Sequence, residues 1–242
     1  MISFSFSDLA DLLYPKACVL CDKIPEPMNK EEKERFRYFG VCPSCTWENF
    51  RAKSRAVDAA PAPLTEVFRG RSMFTYDEEI RDAVLRFKYE GMKENGIYFA
   101  RWMMEDASLK AWVKEAQALV PIPLSAHRLK TRGYNQALEF CKELSRLTDV
   151  PVRQLLARRE DTKALKTLSK TERQRSVEQA FMLDAAAAAA FRTEGAGTVV
   201  LVDDIATTFA TLKACRSVLL EKMPDLEVRY LTFSARESDE IS

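Results

Sequence analysis

The chain has 242 residues, 47% hydrophobic and 30% charged, a balance that excludes fibrous and wholly disordered classes and suits one substantial domain plus a small accessory module. Lys and Arg number 37 against 36 Asp and Glu, and the net charge of +1 leaves no global field to steer polyanions, which excludes a DNA-wrapping protein. A chain of this length needs no disulfide staples to bury a core, so the spacing of its six cysteines decides their role.

The opening MISFSFSDLADLLYPKAC has no positively charged leader and carries Asp8 and Asp11 in its apolar stretch, unlike a signal peptide or mitochondrial presequence. No window reaches the roughly 18 uninterrupted apolar residues of a membrane span. No membrane insertion is expected, and a cytoplasmic location with reduced thiols is. Helical spacing over 5–13 predicts a short helix, with Ser7 or Asp8 as cap and Pro15 as stop. Cys18-x-x-Cys21 and Cys42-x-x-Cys45 follow, separated by twenty residues, the spacing of two knuckles that bring four thiolates to one tetrahedral ion. In so polar a segment a structural zinc can supply folding free energy on the order of 10 kcal/mol. Two redox or disulfide pairs are the alternative, although a thioredoxin-like motif needs one pair in a βαβ setting. A shell of four thiolates has no open position, so the expected site is structural. Residues 51–65, with Pro61 and Pro63, read as a linker. The chain is thereby divided into residues 1–60, the N-terminal helix with the metal module, and a main domain over 66–242.

The second part alternates in pattern. Strands are expected at 70–76, 118–124, 151–157, 198–204 and 226–234, and helices at 77–89, 94–117, 134–147 and 209–222. Strands alternating with helices imply an α/β fold with a doubly wound, mostly parallel sheet. The alanine run 185–190 favours a helical turn. Cys141 and Cys215 fall on apolar helix faces and read as core. Charge is segregated: residues 121–181 hold thirteen basic and seven acidic residues, a local +6, whereas 182–242 hold six and ten, a local −4.

VVLVDDIATTFAT (199–211) carries the sharpest chemistry. A buried strand delivers Asp203 and Asp204 to its C-terminal end, where ligands bind in open α/β sheets. The following Ala206, Thr207, Thr208, Phe209, Ala210 and Thr211 open a helix whose N–H groups and hydroxyls form a phosphate cradle. The carboxylates can hold ribose hydroxyls, directly or through Mg²⁺. VPIPLSAHRLKTRGYNQALEF (120–140) sets Arg128, Lys130 and Arg132 in a loop with no acid between them, suited to pyrophosphate or a nucleic-acid backbone, with Tyr134 able to stack on a base. His127 reads as a polar loop residue.

The 199–211 segment resembles the ribose-phosphate signature of type I phosphoribosyltransferases, an apolar run, two acids and a T-T-G-A-T loop, with Phe209 where that family has Gly. P-I-P-L followed by R-L-x-x-R-G-Y-N-Q, with FKYEG (87–91) upstream and 156–181 downstream, is similar to the ComF (competence protein F, also GntX-like) family. Leu168, Ser169, Glu172, Arg173, Val177, Ala180 and Phe181 match its pattern, while Lys166 or Leu165 stands where Gln is usual and Ser176 where Asn is usual. The resemblance implies a four-cysteine zinc module, Cys18, Cys21, Cys42 and Cys45, joined to a type I phosphoribosyltransferase-like domain. It further implies a lid over pyrophosphate in the 156–181 stretch, kept basic by Arg158, Arg159, Lys163, Lys166 and Lys170. The implied role is single-stranded DNA handling during DNA uptake and natural transformation, with DNA-uptake or recombination proteins as partners. Arg128, Lys130, Arg132, Tyr134, Asn135, Gln136, Arg158, Arg159 and Arg173 are then the expected pyrophosphate or nucleic-acid contacts. Asp203, Asp204 and 206–211 are the expected phosphoribosyl pyrophosphate site. The alternative is an active phosphoribosyltransferase using phosphoribosyl pyrophosphate and Mg²⁺ with an acceptor that no motif identifies. No catalytic residue is assigned.

Overall fold

In a computed structural model of the chain, residues 15–45, 57–58, 68–76, 78–89, 92–159, 177, 179–193, 195, 197–206 and 209–235 are described. The helix expected over 5–13, the linker 51–65 other than 57–58, the basic stretch 160–176 with Arg173, and the loop residues Thr207 and Thr208 lie outside them.

Among the described residues the N-terminal part holds the helix α1 (Lys30–Phe39) and a 3-10 turn at Pro43–Cys45. Asn29 and Glu32 form a reciprocal capping box at the start of α1, and Gly40 closes it in the left-handed conformation at φ +70°. A Cβ on Gly40 would meet the Tyr98 ring at 2.5 Å, so glycine here serves both the turn and the seating of the module on the main domain.

The main sheet has five strands in the order β1-β2-β7-β6-β3: β1 (Val57–Asp58), β2 (Gly70–Thr75), β7 (Glu227–Ala235), β6 (Thr198–Ala206) and β3 (Ala118–Pro121). The β2–β7, β7–β6 and β6–β3 pairs are parallel and β1 is antiparallel to β2, so part of the expected linker is an edge strand. Side chains alternate over the middle of β6: Val200 and Val202 join one hydrophobic cluster, Val199 and Leu201 the other. Both faces of the sheet are thus covered, as the uninterrupted apolar run of β6 requires in a doubly wound α/β fold.

One face carries α2 (Glu78–Tyr89), α3 (Glu94–Met104), α4 (Ala107–Lys114) and α6 (Gln136–Thr148). The single helix expected over 94–117 is two, because Asp106 accepts the N–H groups of Ser108 and Leu109 at 2.8 and 3.1 Å and starts a new helix. The loop expected after β3 is a helix, α5 (Ala126–Arg132), capped by Ser125 and closed by Gly133 at φ +77°. The other face carries α7 (Ala185–Arg192), started by an Asp184 cap, and α8 (Ala210–Lys222). The strand expected over 118–124 ends at Pro121, although Ile122 N–H still reaches Val202 O at 3.0 Å. The strand expected over 151–157 divides: Val152 bridges the free edge of β3, and β4 (Leu156–Arg158) pairs antiparallel with β5 (Phe181–Leu183) in a small second sheet. Among the described residues no helix is long and apolar enough to cross a membrane.

Candidate functional site

The four N-terminal cysteines converge. The first knuckle turns through Asp22, left-handed at φ +60°, with Asp22 N–H on Cys18 O at 2.8 Å and Cys18 N–H on Lys23 O at 2.9 Å. The second knuckle is the 3-10 turn Pro43–Cys45, and Cys42 N–H donates to Cys18 Sγ at 3.4 Å. All four Sγ atoms lie within 4.8 Å of one another, with Cys21 and Cys42 3.8 Å apart. Sulfurs bound at about 2.3 Å to one tetrahedral ion sit about 3.8 Å from each other, so the group fits a metal ion such as zinc. Burial pushes the Cys18 thiol up to about 11, against backbone N–H groups that pull it down, and burial with neighbouring thiolates raises Cys45 further still. Buried thiols ionise together only where a cation sits among them.

This module is anchored to the sheet domain from α2. Arg86, 9% exposed, donates to Val19 O and Leu20 O, both at 2.7 Å, and lies 3.9 Å from Asp22. Arg101 of α3 reaches Tyr38 O at 2.8 Å while stacking on the Tyr38 ring. Neither arginine stands out in the sequence, because each partner is remote along the chain.

At the C-terminal end of β6 the two carboxylates differ. Asp204 is buried, 6% exposed, and its Oδ1 lies 2.9 Å from Lys88 Nζ, the last turn of α2 supplying the ammonium. Asp203 is half-buried and accepts the N–H of Asp204 at 2.9 Å. Burial first, then the Asp204 charge beside it, raises Asp203 to about 7, with Lys88 pulling the other way. Lys88 is the site residue that sequence reasoning missed; its only local signal is the FKYEG match. With one carboxylate already neutralised by Lys88, the pair does not offer a divalent ion such as Mg²⁺ two free acids.

Beyond the strand end, Phe209 precedes α8 with φ +55° and ψ −1°, the left-handed conformation that glycine adopts freely. The loop does not need a glycine to keep that turn. The ring, 4% exposed, packs edge-on against Tyr230 with centroids 5.4 Å apart, inside the cluster that holds Leu212 and Leu219. Buried in that cluster, it offers no face for stacking on a base. Ala206 is buried, and Ala210 and Thr211 are half-buried at the start of α8.

The residues after β3 expected to contact pyrophosphate or nucleic acid separate into two groups. Arg128 and Lys130 are exposed on α5, a helix with no buried residue. Tyr134, Asn135 and Gln136 instead belong to the fold: Tyr134 is 5% exposed and donates its hydroxyl to Phe87 O, Asn135 caps α6 and donates to Ile122 O at 3.0 Å, and Gln136, 1% exposed, accepts from Arg132 at 3.0 Å. Stacking of Tyr134 on a base is therefore corrected, since its ring is a core ring. The exposed aromatic is Tyr89, 63% exposed, which carries the Arg132 guanidinium 4.8 Å from its ring centroid. Arg158 stacks over Phe181 at 5.2 Å in the β4–β5 hairpin, and Arg159 next to it is exposed. Cys141 and Cys215 are fully buried in opposite clusters.

No family model matches the chain. Competence protein F of Haemophilus influenzae is 32% identical over 158 residues, 64% of this chain and 67% of that protein. Competence protein ComFC of Bacillus subtilis is 33% identical over 154 residues, 64% of this chain and 59% of that protein. Competence protein ComFC of Streptococcus pneumoniae is 27% identical over 219 residues, 90% of this chain and 88% of that protein. Among solved structures, orotate phosphoribosyltransferase from Aeropyrum pernix aligns with a TM-score of 0.34 and 15% identity over 77% of this chain and 90% of that one. With a third of the aligned residues identical to competence protein F across two thirds of that protein's length, this chain belongs to the ComF family.

Proposed function

We propose that this chain acts in competence, handling single-stranded DNA during DNA uptake, and that Cys18, Cys21, Cys42 and Cys45 hold a structural zinc ion. The competence role comes from the competence-protein relatives. The geometric observation that carries the DNA reading is α5, an exposed helix bearing Arg128, Lys130 and Arg132, whose Arg132 meets Tyr89 next to the Lys88 that pairs with Asp204. Basic side chains on an exposed element bind phosphate backbones by releasing counterions, so affinity falls steeply with salt. Fluorescence anisotropy with a labelled single-stranded oligonucleotide across a salt series is the test: a steep linear log–log slope is expected, and a flat slope or no binding counts against the reading. DNA-uptake or recombination proteins are the proposed partners, and the cytoplasm the proposed location. For the metal, Cys42→Ala is expected to lose the bound zinc, and full retention of one ion per chain would exclude the four-thiolate site.

A second reading, a pocket for phosphoribosyl pyrophosphate, is favoured by one observation: Phe209 keeps the left-handed turn and buries its ring in the core cluster with Tyr230. In that reading Asp203 and Asp204 face ribose hydroxyls and residues 206–211, with Arg128, Lys130 and Arg132, face phosphates. Calorimetry with phosphoribosyl pyrophosphate and Mg²⁺ decides it, micromolar binding being the expected result and no heat the contrary one.

A further inference from the structure

Helix α5 is anomalous as a piece of protein structure. Seven residues are too few to hold a helix by propensity alone, and helices in proteins persist by burying a face. Here no residue of the helix is buried, and Leu129 is 45% exposed. What holds it is at its ends: the Ser125 cap, itself 2% exposed, the Gly133 N–H on Leu129 O at 2.8 Å, and Arg132, which bonds Gln136 at 3.0 Å and the Tyr89 hydroxyl at 3.1 Å. The fold thus fixes an element that its own core does not use.

The surface so fixed has a definite chemistry. Helical spacing places Arg128 and Leu129 on the same face as Arg132, at i−4 and i−3 from it. Arg132 lies over one side of the Tyr89 ring, and Tyr89 remains 63% exposed, so the face continues into an exposed aromatic side chain at the end of α2. Residues 116–138 contain no Asp or Glu, so no acid nearby in the chain neutralises Arg128, Lys130 or Arg132. An exposed ring backed by a guanidinium, next to cations that match phosphate charge, fits a base and the backbone beside it. A paired duplex keeps its base faces stacked and cannot use the ring.

We infer that Tyr89, backed by Arg132 and flanked by Arg128 and Leu129, is a base-stacking platform for single-stranded nucleic acid. This rests on the DNA-handling reading and deepens it by naming the residue that selects unpaired strands. The experiment is anisotropy with the full chain and a fluorescein-labelled oligonucleotide of about 20 thymidines, beside a duplex of the same length, a span that covers one or two single-strand site sizes. Tyr89→Ala is expected to weaken single-strand binding by about 5- to 100-fold, the worth of one stacked base, with an unchanged salt slope. Tyr89→Phe, which keeps the ring, is expected to stay within about 2-fold of the parent. Arg128→Ala is expected to reduce the slope by about 0.7, one phosphate contact on a single strand. Tyr89 is exposed, so its replacement is expected to leave the fold intact, and thermal melts of each variant check this. Salt-sensitive binding by the parent that Tyr89→Ala leaves untouched, or duplex bound as tightly as single strand, overturns the platform while the DNA reading stands. Absence of any single-strand binding by the parent overturns both.

Discussion

Phe209 shows how one residue departs from a pattern while the backbone keeps it. Its left-handed φ of +55° costs a side-chain-bearing residue about 1–2 kcal/mol, and burial of its ring against Tyr230 offsets that cost. Phe209→Gly relieves the strain but removes a buried ring, a loss of about 3–5 kcal/mol. The net destabilisation is expected to be about 1–4 kcal/mol, seen as a lower urea midpoint at constant m-value; stability equal to the parent would mean the ring does not hold the loop. Asp203 gives a pH signature. Folded, it keeps its proton to about pH 7, whereas an unfolded Asp releases it near about 3.9, so its contribution to stability falls as pH rises from about 4 to about 7 and is level above. Asp203→Asn retains an oxygen for the Asp204 N–H and cannot ionise. It is expected to melt at least ~2 °C above the parent at about pH 8, with the gap closing toward about pH 4; a gap independent of pH would refute the buried carboxylate as its source. Both acids were legible in the sequence because an apolar run ended on them. Lys88 was not, because its partner is brought to it only by the sheet, and Tyr134 was misread because burial leaves no local mark on a tyrosine beside arginines.

Among the elements, α2 makes four separate connections in its last turn. The Arg86 side chain holds the first cysteine knuckle, Phe87 O accepts from Tyr134, the Lys88 side chain meets Asp204, and Tyr89 meets Arg132. Four consecutive residues thus tie together the metal module, the start of α6, the end of β6 and α5. Arg86→Met leaves Val19 O and Leu20 O without their donor, and removing hydrogen bonds to a charged group costs about 1.5–3 kcal/mol each at most. The variant is expected to melt lower and to release zinc to a chelator several-fold faster, measured with a colorimetric zinc indicator; unchanged release kinetics would mean the knuckle stands without α2. Periodicity predicted this helix to within a residue, but what its last turn touches is decided by tertiary packing. The break between α3 and α4 escaped the pattern because both helices bury apolar residues at continuous spacing, and a single capping Asp106 decides it.

For the whole molecule, the apolar runs of β6 and β7 were enough to foresee a parallel sheet covered on both faces, whereas β5 and the edge strand β1 were not, being three and two residues long with no periodicity to read. The near-neutral total charge also concealed the basic helix that the fold isolates. The contact between the first cysteine knuckle and the core of the sheet has an energetic consequence for the proposed metal site. Val19, 3% exposed, belongs to the main cluster with Phe87, Phe99 and Trp102, and Leu20 packs against the same cluster, although both lie within the first cysteine knuckle. If the four cysteines hold the proposed metal, removing it loosens a patch of the main core along with the knuckle. A structural zinc ion binds with about 10 kcal/mol or more, and whatever binds only the folded state stabilises that state by linkage. Chelation is expected to lower the melting temperature of the whole chain in a single shifted transition followed by far-UV and near-UV circular dichroism. Readdition of zinc in excess should restore it, and Cys42→Ala should match the chelated protein without responding to zinc. A main-domain transition that stays in place after chelation would show that the module folds and fails alone, and that Val19 and Leu20 rest on the core without supporting it.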